Sequence, residues 1–177
     1  MSIYGSGRIE TTKVYNNIMN KFKWGNFDKK DLFVDNSYGA AVQAHRMVFN
    51  RTCDQLLKEG KRDQAVALAD KFFEAFPHMN FPYDASVVSF INIYLRTREY
   101  DKAKKHLRIL ANETADHLSF YESIDPDIVQ SSFQNEYLLR LRASQNILSV
   151  IDSIPDDAFQ QEIKTLLEKY RQSRVPN

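Results

Sequence analysis

An all-α fold of about seven helices in antiparallel pairs is predicted by three features of this 177-residue chain. Apolar residues recur at spacings of three and four, strand-like alternation is almost absent, and the 5 glycines and 5 prolines fall between the periodic segments. At 43% hydrophobic and 27% charged, the composition is that of an ordinary globular domain, which excludes disorder, a collagen repeat and a disulfide scaffold. Lys plus Arg number 24 against 23 Asp plus Glu, so the net charge of +1 offers no overall field to phosphate, and nucleic acid is not an expected partner. The one cysteine, Cys53, forms no internal disulfide and leaves reducing and oxidising compartments both open. Met1 to Arg8 lacks a basic segment followed by an apolar run, so no export signal is expected there. No stretch approaches the roughly 18 apolar residues of a membrane span, and no membrane insertion by this segment is expected.

The first segment, Thr12 to Phe22, places Val14 or Tyr15, Ile18 and Phe22 on one face and stops before Trp24-Gly25-Asn26, which predicts a short amphipathic helix and a turn. From Asp28 to Gly39 the chain is polar and mixed, a loop with Leu32-Phe33-Val34 as a small apolar anchor. Between about Ala41 and Glu59, Phe49, Thr52, Cys53 and Leu56 form one stripe, and Gly60 follows where a helix stops on a left-handed residue. Asp63 to Phe76 carries Ala65, Leu68, Ala69, Phe72, Phe73 and Phe76 on a wide apolar face closed by Pro77, so two antiparallel helices joined by a tight turn are expected. A second pair follows the same plan. Val87, Phe90, Ile91 and Tyr94 mark its first helix, Arg98 to Asp101 the turn, and Ala103, Leu107 and Leu110 a second helix running on to about Tyr121. Asp125-Pro126 supplies an N-cap and a proline at the first helical position of a long helix, whose face is Phe133, Tyr137, Leu141, Leu148 and Ile151. Ser153-Ile154-Pro155 opens the last helix, with Phe159, Ile163, Leu166, Leu167 and Tyr170 as its stripe, and Arg171 to Asn177 is expected to fray.

The two middle pairs can be laid on the tetratricopeptide template, in which two helices within about 34 residues pack through small and aromatic positions and end at a proline. Gly60, Ala65, Phe72 and Pro77 fit its second half, and Tyr100, Ala103, Leu107 and Leu110 fall at the equivalent places, Ala103 lying 38 residues after Ala65. Cys53 takes the small position of the first helix. The repeat is degenerate: the first helix lacks the template's Trp, Ile91 replaces its small residue, and Ala115 stands where the proline belongs. The predicted architecture is a short, right-handed, tetratricopeptide-like solenoid, and a plain helical bundle explains the same stripes. Residues 1–40 read as an N-terminal helix and irregular linker packing on the body, and 41–177 as the helical domain, together a single structural unit.

Candidate chemistry is sparse. His45, His78, His106 and His117 lack metal-ligand spacing, and eight helical residues set His45 roughly 12 Å of rise from Cys53, too far for a nucleophilic dyad. Asp125 with Asp127 and Asp156 with Asp157 are carboxylate pairs, but each flanks a proline at a helix start, where a negative charge caps free N–H groups. Gly5-Ser6-Gly7 lacks the third glycine of a nucleotide loop. The basic cluster Arg96, Arg98, Lys102, Lys104, Lys105 and Arg108 is interrupted by Glu99 and Asp101 and reads as a solvated turn. Asn50-Arg51-Thr52 and Asn112-Glu113-Thr114 match the glycosylation sequon but lie inside predicted helices. No catalytic, cofactor-binding or metal-binding residue is therefore assigned. If helix pairs stack, the first helices line the concave side, where Asn50, Asp54 and Lys58 share a face, as do Asn92 and Arg96. These five are the candidate peptide-binding groove; the alternative is an ordinary solvated face.

The opening Gly7-Arg8-Ile9-Glu10-Thr11, followed by Val14-Tyr15-Asn16-Asn17-Ile18-Met19-Asn20-Lys21-Phe22-Lys23-Trp24-Gly25-Asn26, resembles the junction in a family of large, multi-spanning Bacteroidota membrane proteins related to protein O-mannosyltransferases and similar lipid-linked sugar transferases. The Leu56-Leu57-Lys58-Glu59-Gly60-Lys61 turn and the Ala65 to Pro77 helix resemble the tetratricopeptide-like C-terminal tail of the same proteins. The resemblance covers essentially the whole chain. It implies a soluble C-terminal domain whose membrane-spanning catalytic part, with its acidic residues in an extracytoplasmic loop, lies upstream. Nothing catalytic and no cofactor carries over. The implied place is the extracytoplasmic, periplasmic face of the inner membrane, where the domain holds a protein or peptide partner, the acceptor polypeptide among them, beside the upstream membrane domain. The rival expectations are a free-standing cytoplasmic adaptor and a purely structural cap on the parent.

Overall fold

Residues 8–170 are described by the structure, a computed structural model, and every regular element among them is helical. Gly5 to Gly7 and Arg171 to Asn177 lie outside the described residues. The chain divides after Pro82 into two compact units. In the first, α1 (Thr11–Asn16) runs into a π-helical turn, Asn17–Lys21, closed by the Phe22 N–H on the Asn17 carbonyl at 2.9 Å. After an irregular stretch, a 3-10 turn (Asn36–Tyr38) leads into α2 (Gly39–Lys58), and α3 (Arg62–Ala75) follows. In the second unit a 3-10 turn (Ala85–Val87) opens α4 (Val88–Thr97), followed by α5 (Tyr100–Ser123). A single turn, α6 (Pro126–Ile128), continues through a π-helical turn (Val129–Phe133) into α7 (Gln134–Val150), and α8 (Asp157–Leu167) ends in a 3-10 turn, Glu168–Tyr170. Counting α6 and α7 as the one helical run they form gives the seven helices expected.

The turn after α2 shows why this sequence makes a helix pair. Gly60 sits at φ 74°, its N–H donates to the Leu57 carbonyl at 3.1 Å, and the Lys61 N–H donates to the Leu56 carbonyl at 2.9 Å. That double bond pattern satisfies the orphaned carbonyls at the helix end and requires a left-handed residue at its centre. Arg98 does the same for α4 without being glycine: at φ 63° its N–H meets the Leu95 carbonyl at 3.1 Å, and the Glu99 N–H meets Tyr94 at 2.9 Å. Gly60 and Arg98 are 38 residues apart, the offset that separates Ala65 from Ala103. The same shift maps Phe49 onto Val87, Thr52 onto Phe90, Cys53 onto Ile91, Leu56 onto Tyr94, Ala69 onto Leu107 and Phe72 onto Leu110, and all twelve side chains are buried. The repeat is thus present in turn geometry and burial as well as in residue type.

In the first unit, ring contact between Phe49 and Phe72 and the Cys53 thiol donating to the Ala65 carbonyl at 3.6 Å fix α2 antiparallel to α3. α1 lies antiparallel along α2, its Thr11 hydroxyl donating to Glu59 at 2.8 Å. In the second unit α5 is the shared wall, with α4, α7 and α8 all packed on it. Lys104 to Asp156, Arg108 to Glu162 and the Tyr170 hydroxyl to the Ala115 carbonyl, at 3.1, 2.7 and 3.3 Å, run in the same order along both helices, so α8 lies parallel to α5. Tyr83 pins the loop before α4, its N–H on Glu113 at 3.0 Å, its hydroxyl 2.9 Å from His106 Nδ1, and its carbonyl accepting from Arg140 at 2.9 Å.

Two expectations are corrected here. Phe22, placed on the core stripe of the first helix, is 50% exposed, because the π turn ends at Lys21 and the chain leaves in extended conformation at Phe22 itself. Pro155 does not open the last helix; Asp156 does, capping it through the Phe159 N–H at 3.0 Å.

Gly60→Ala puts a β-carbon on a left-handed residue with nothing within 4 Å to clash, so it isolates the backbone term, and a loss of about 1–2 kcal/mol is expected in urea denaturation. Arg98→Gly, at the equivalent turn, is expected to raise stability by about 0.5–1 kcal/mol.

Candidate functional site

The stretch between α1 and α2 has no regular structure to satisfy its backbone, and one distant side chain does so instead. Asn80 is buried; its amide donates to the carbonyls of Phe27 and Lys30 at 2.6 and 2.7 Å, and its Oδ1 accepts from the Leu32 N–H at 2.6 Å. Trp24 anchors the near end of the same stretch. Its indole N–H donates to the Ile18 carbonyl at 3.3 Å and its ring packs on Phe22, His45, Phe49 and Phe76. Phe27 and Phe76 both meet Phe81 edge-on, at 5.0 and 5.2 Å.

Holding that loop off the helices leaves a cavity of about 490 Å³ within the first unit. Ala75, Phe76 and Phe81 form its buried floor; Trp24, Phe27, Val34 and Val42 are half-buried walls; Lys23, Leu32, Phe33, Tyr38 and His45 are exposed at its rim. Leu32-Phe33-Val34 is therefore not the buried anchor expected of it: Phe33 is 93% exposed, and Asn80 holds the backbone that the apolar side chains were expected to hold. A largely apolar concavity with a few polar groups at its mouth is the usual form of a small-molecule site. Nothing local in the sequence marks it, since its residues come from four separate stretches.

The predicted groove residues fall on two units. Asp54 and Lys58 line a polar cleft of about 350 Å³ with Arg51, Gln55, Glu59 and the chain's own non-helical Arg8 to Glu10; Asn50 lies one turn away on α2, outside that cleft. Asn92 and Arg96 lie on α4, half-buried and exposed. Asp54 and Asn92 are 38 residues apart, as are Lys58 and Arg96, so the repeat carries these polar positions in register, whereas Asn50 corresponds to the buried Val88. At the edge of the cleft, hydrogen bonds from Lys61, Thr11 and Gln55 hold the Glu59 carboxyl down to about 2 from its ordinary 4.5.

The remaining candidates are structural. Burial, with the Asp54 charge beside it, pushes the Cys53 thiol up to about 12, so it is a core residue and no nucleophile. Asp125 accepts from the Asp127 N–H at 2.8 Å and Asp156 from Phe159, which makes both pairs helix caps. The basic cluster is partly neutralised: Lys104 pairs with Asp101 and Asp156 at 3.0 and 3.1 Å, and Arg108 grips Glu162 through two bonds of 2.7 and 2.9 Å. Both sequons end in buried threonines, Thr52 and Thr114, inside α2 and α5. Among the described residues no helix is long and apolar enough to cross a membrane, and no three His, Cys, Asp or Glu side chains gather as metal ligands. Set against family models, curated proteins and solved structures, the chain matches none of them.

Asn80→Ala strands one N–H and two carbonyls of the loop, so a loss of about 1–3 kcal/mol and faster tryptic cleavage after Lys29 and Lys30 are expected, and Asn80→Asp, which cannot donate to the two carbonyls, fails to restore them. Glu59 has a folded value below its unfolded one, so its contacts stabilise the fold above about pH 4.5 and are lost as pH falls towards 2. The drop in Tm between about pH 6 and pH 2.5 is expected to be smaller in Glu59→Gln than in the unsubstituted chain.

Proposed function

We propose that this chain is a non-catalytic protein-interaction domain, built from repeated tetratricopeptide-like helix pairs that present the polar faces of their first helices to a polypeptide. One observation carries the reading: the 38-residue repeat that superposes the buried positions also superposes Asp54 on Asn92 and Lys58 on Arg96. The core register fixes which side of each first helix is solvated, and on that side a basic residue recurs in both, Lys58 and Arg96, where stacked pairs offer an extended binding surface. The chain's own Arg8 to Glu10 supports it further, since a non-helical segment already lines the cleft that holds Asp54 and Lys58. On the resemblance of Gly7 to Asn26 and Leu56 to Pro77, the domain is the C-terminal part of an O-mannosyltransferase-like membrane protein at the extracytoplasmic face, and the polypeptide is an acceptor or a partner of the transferase.

The purified chain is expected to turn over no lipid-linked sugar. An antibody against it is expected to detect a band several times 20.7 kDa in the membrane fraction of native cells. Joint replacement, Asn92→Ala with Arg96→Ala, is expected to reduce co-purification of the partner about tenfold, as loss of central contacts does. Sugar transfer by the chain alone overturns the non-catalytic reading, a soluble band near 20.7 kDa overturns the parentage, and undiminished recovery overturns the groove.

A further inference from the structure

The apolar cavity in the first unit has a chemistry of its own, independent of any polypeptide on α2 and α4. Its floor is Phe76 and Phe81, each 7% exposed, and its polar side chains, Lys23, Tyr38 and His45, all stand exposed at the rim. The buried floor carries no polar side chain and the lining is mostly apolar, so polar atoms set deep in a ligand's body would go unmatched by side chains, and the body that fits is hydrocarbon. The charged side chains that line the cavity carry positive charge only. Lys23 lines the cavity, no aspartate or glutamate does, and among the described residues Lys23 has no ion-pair partner. The volume of about 490 Å³ lies in the range of small-molecule sites. We propose that this pocket binds a single-chain aliphatic carboxylate, its tail against Phe76 and Phe81 and its carboxylate at the Lys23 ammonium.

Trp24 is the only tryptophan of the chain and forms a wall of the pocket, so its emission reports occupancy. The full chain is titrated with laurate, with dodecyltrimethylammonium, both below their micellar concentrations, and with phosphatidylglycerol vesicles. Laurate is expected to give a saturable change in Trp24 emission and to bind about tenfold tighter than the cation of equal chain length, since one is attracted and the other repelled at the rim. Lys23→Glu, at an exposed position, weakens laurate by about threefold to tenfold with unchanged far-UV circular dichroism. Val42→Phe fills the pocket from α2 and abolishes the response; should that variant not fold, Lys23→Glu decides alone. A flat laurate titration, equal affinity for laurate and the cation, an undiminished laurate response in Lys23→Glu, or a response to vesicles only overturns the proposal.

Discussion

At the end of α2 a left-handed glycine turns the chain so that its next five residues deliver an alanine against the helix just completed. Gly60 closes the last carbonyls, and Ala65, fully buried, brings its backbone close enough for the Cys53 thiol to reach the Ala65 carbonyl at 3.6 Å. A larger side chain in place of Ala65 would push the helices apart and strand the phenylalanines that meet across them, Phe49 against Phe72. The second pair meets the same constraint with Arg98 in the left-handed turn and Ala103 fully buried. Burial and the turn thus depend on each other in both pairs, which is why the 38-residue offset persists where residue identity does not.

The helices were legible because their signals are local. Periodicity placed the buried faces of α2, α3, α4 and α5, Gly60 marked a stop, and Asp125-Pro126 marked a start. What was missed depends on contacts far apart in sequence or on geometry without a residue preference. The π turn at Asn17–Lys21 has no compositional mark, and it moved Phe22 off the face that a regular α-helix would give it. Arg98 carries nothing of a glycine stop; only its offset from Gly60 could have revealed it. Asn80 reads as one polar residue in a turn, yet it organises a loop about 50 residues upstream, because a long stretch without helix or strand must have its backbone groups satisfied by something. The aromatic pocket follows from that loop and was invisible for the same reason.

Sequence and structure divide the molecule's chemistry in two. Several side chains that could in principle react are committed to the fold: Cys53 to the core, Asp125 and Asp156 to helix caps, and Lys104 and Arg108 to the contact between α5 and α8. The face of α2 and α4 that carries Asp54, Lys58, Asn92 and Arg96 is polar, and the surface around Trp24 is apolar. Repeated helix pairs are a scaffold suited to the recognition role we propose, because each pair adds an equivalent stripe of side chains.

The polar faces of α2 and α4 are tested most directly by site-specific photocrosslinking in native cells, with the photoreactive residue placed in turn at Lys58, at Arg96 and at the exposed Gln145 of α7. An adduct with the same polypeptide is expected from positions 58 and 96 and none from 145. Adducts absent from both 58 and 96, or equally strong from 145, would contradict that expectation.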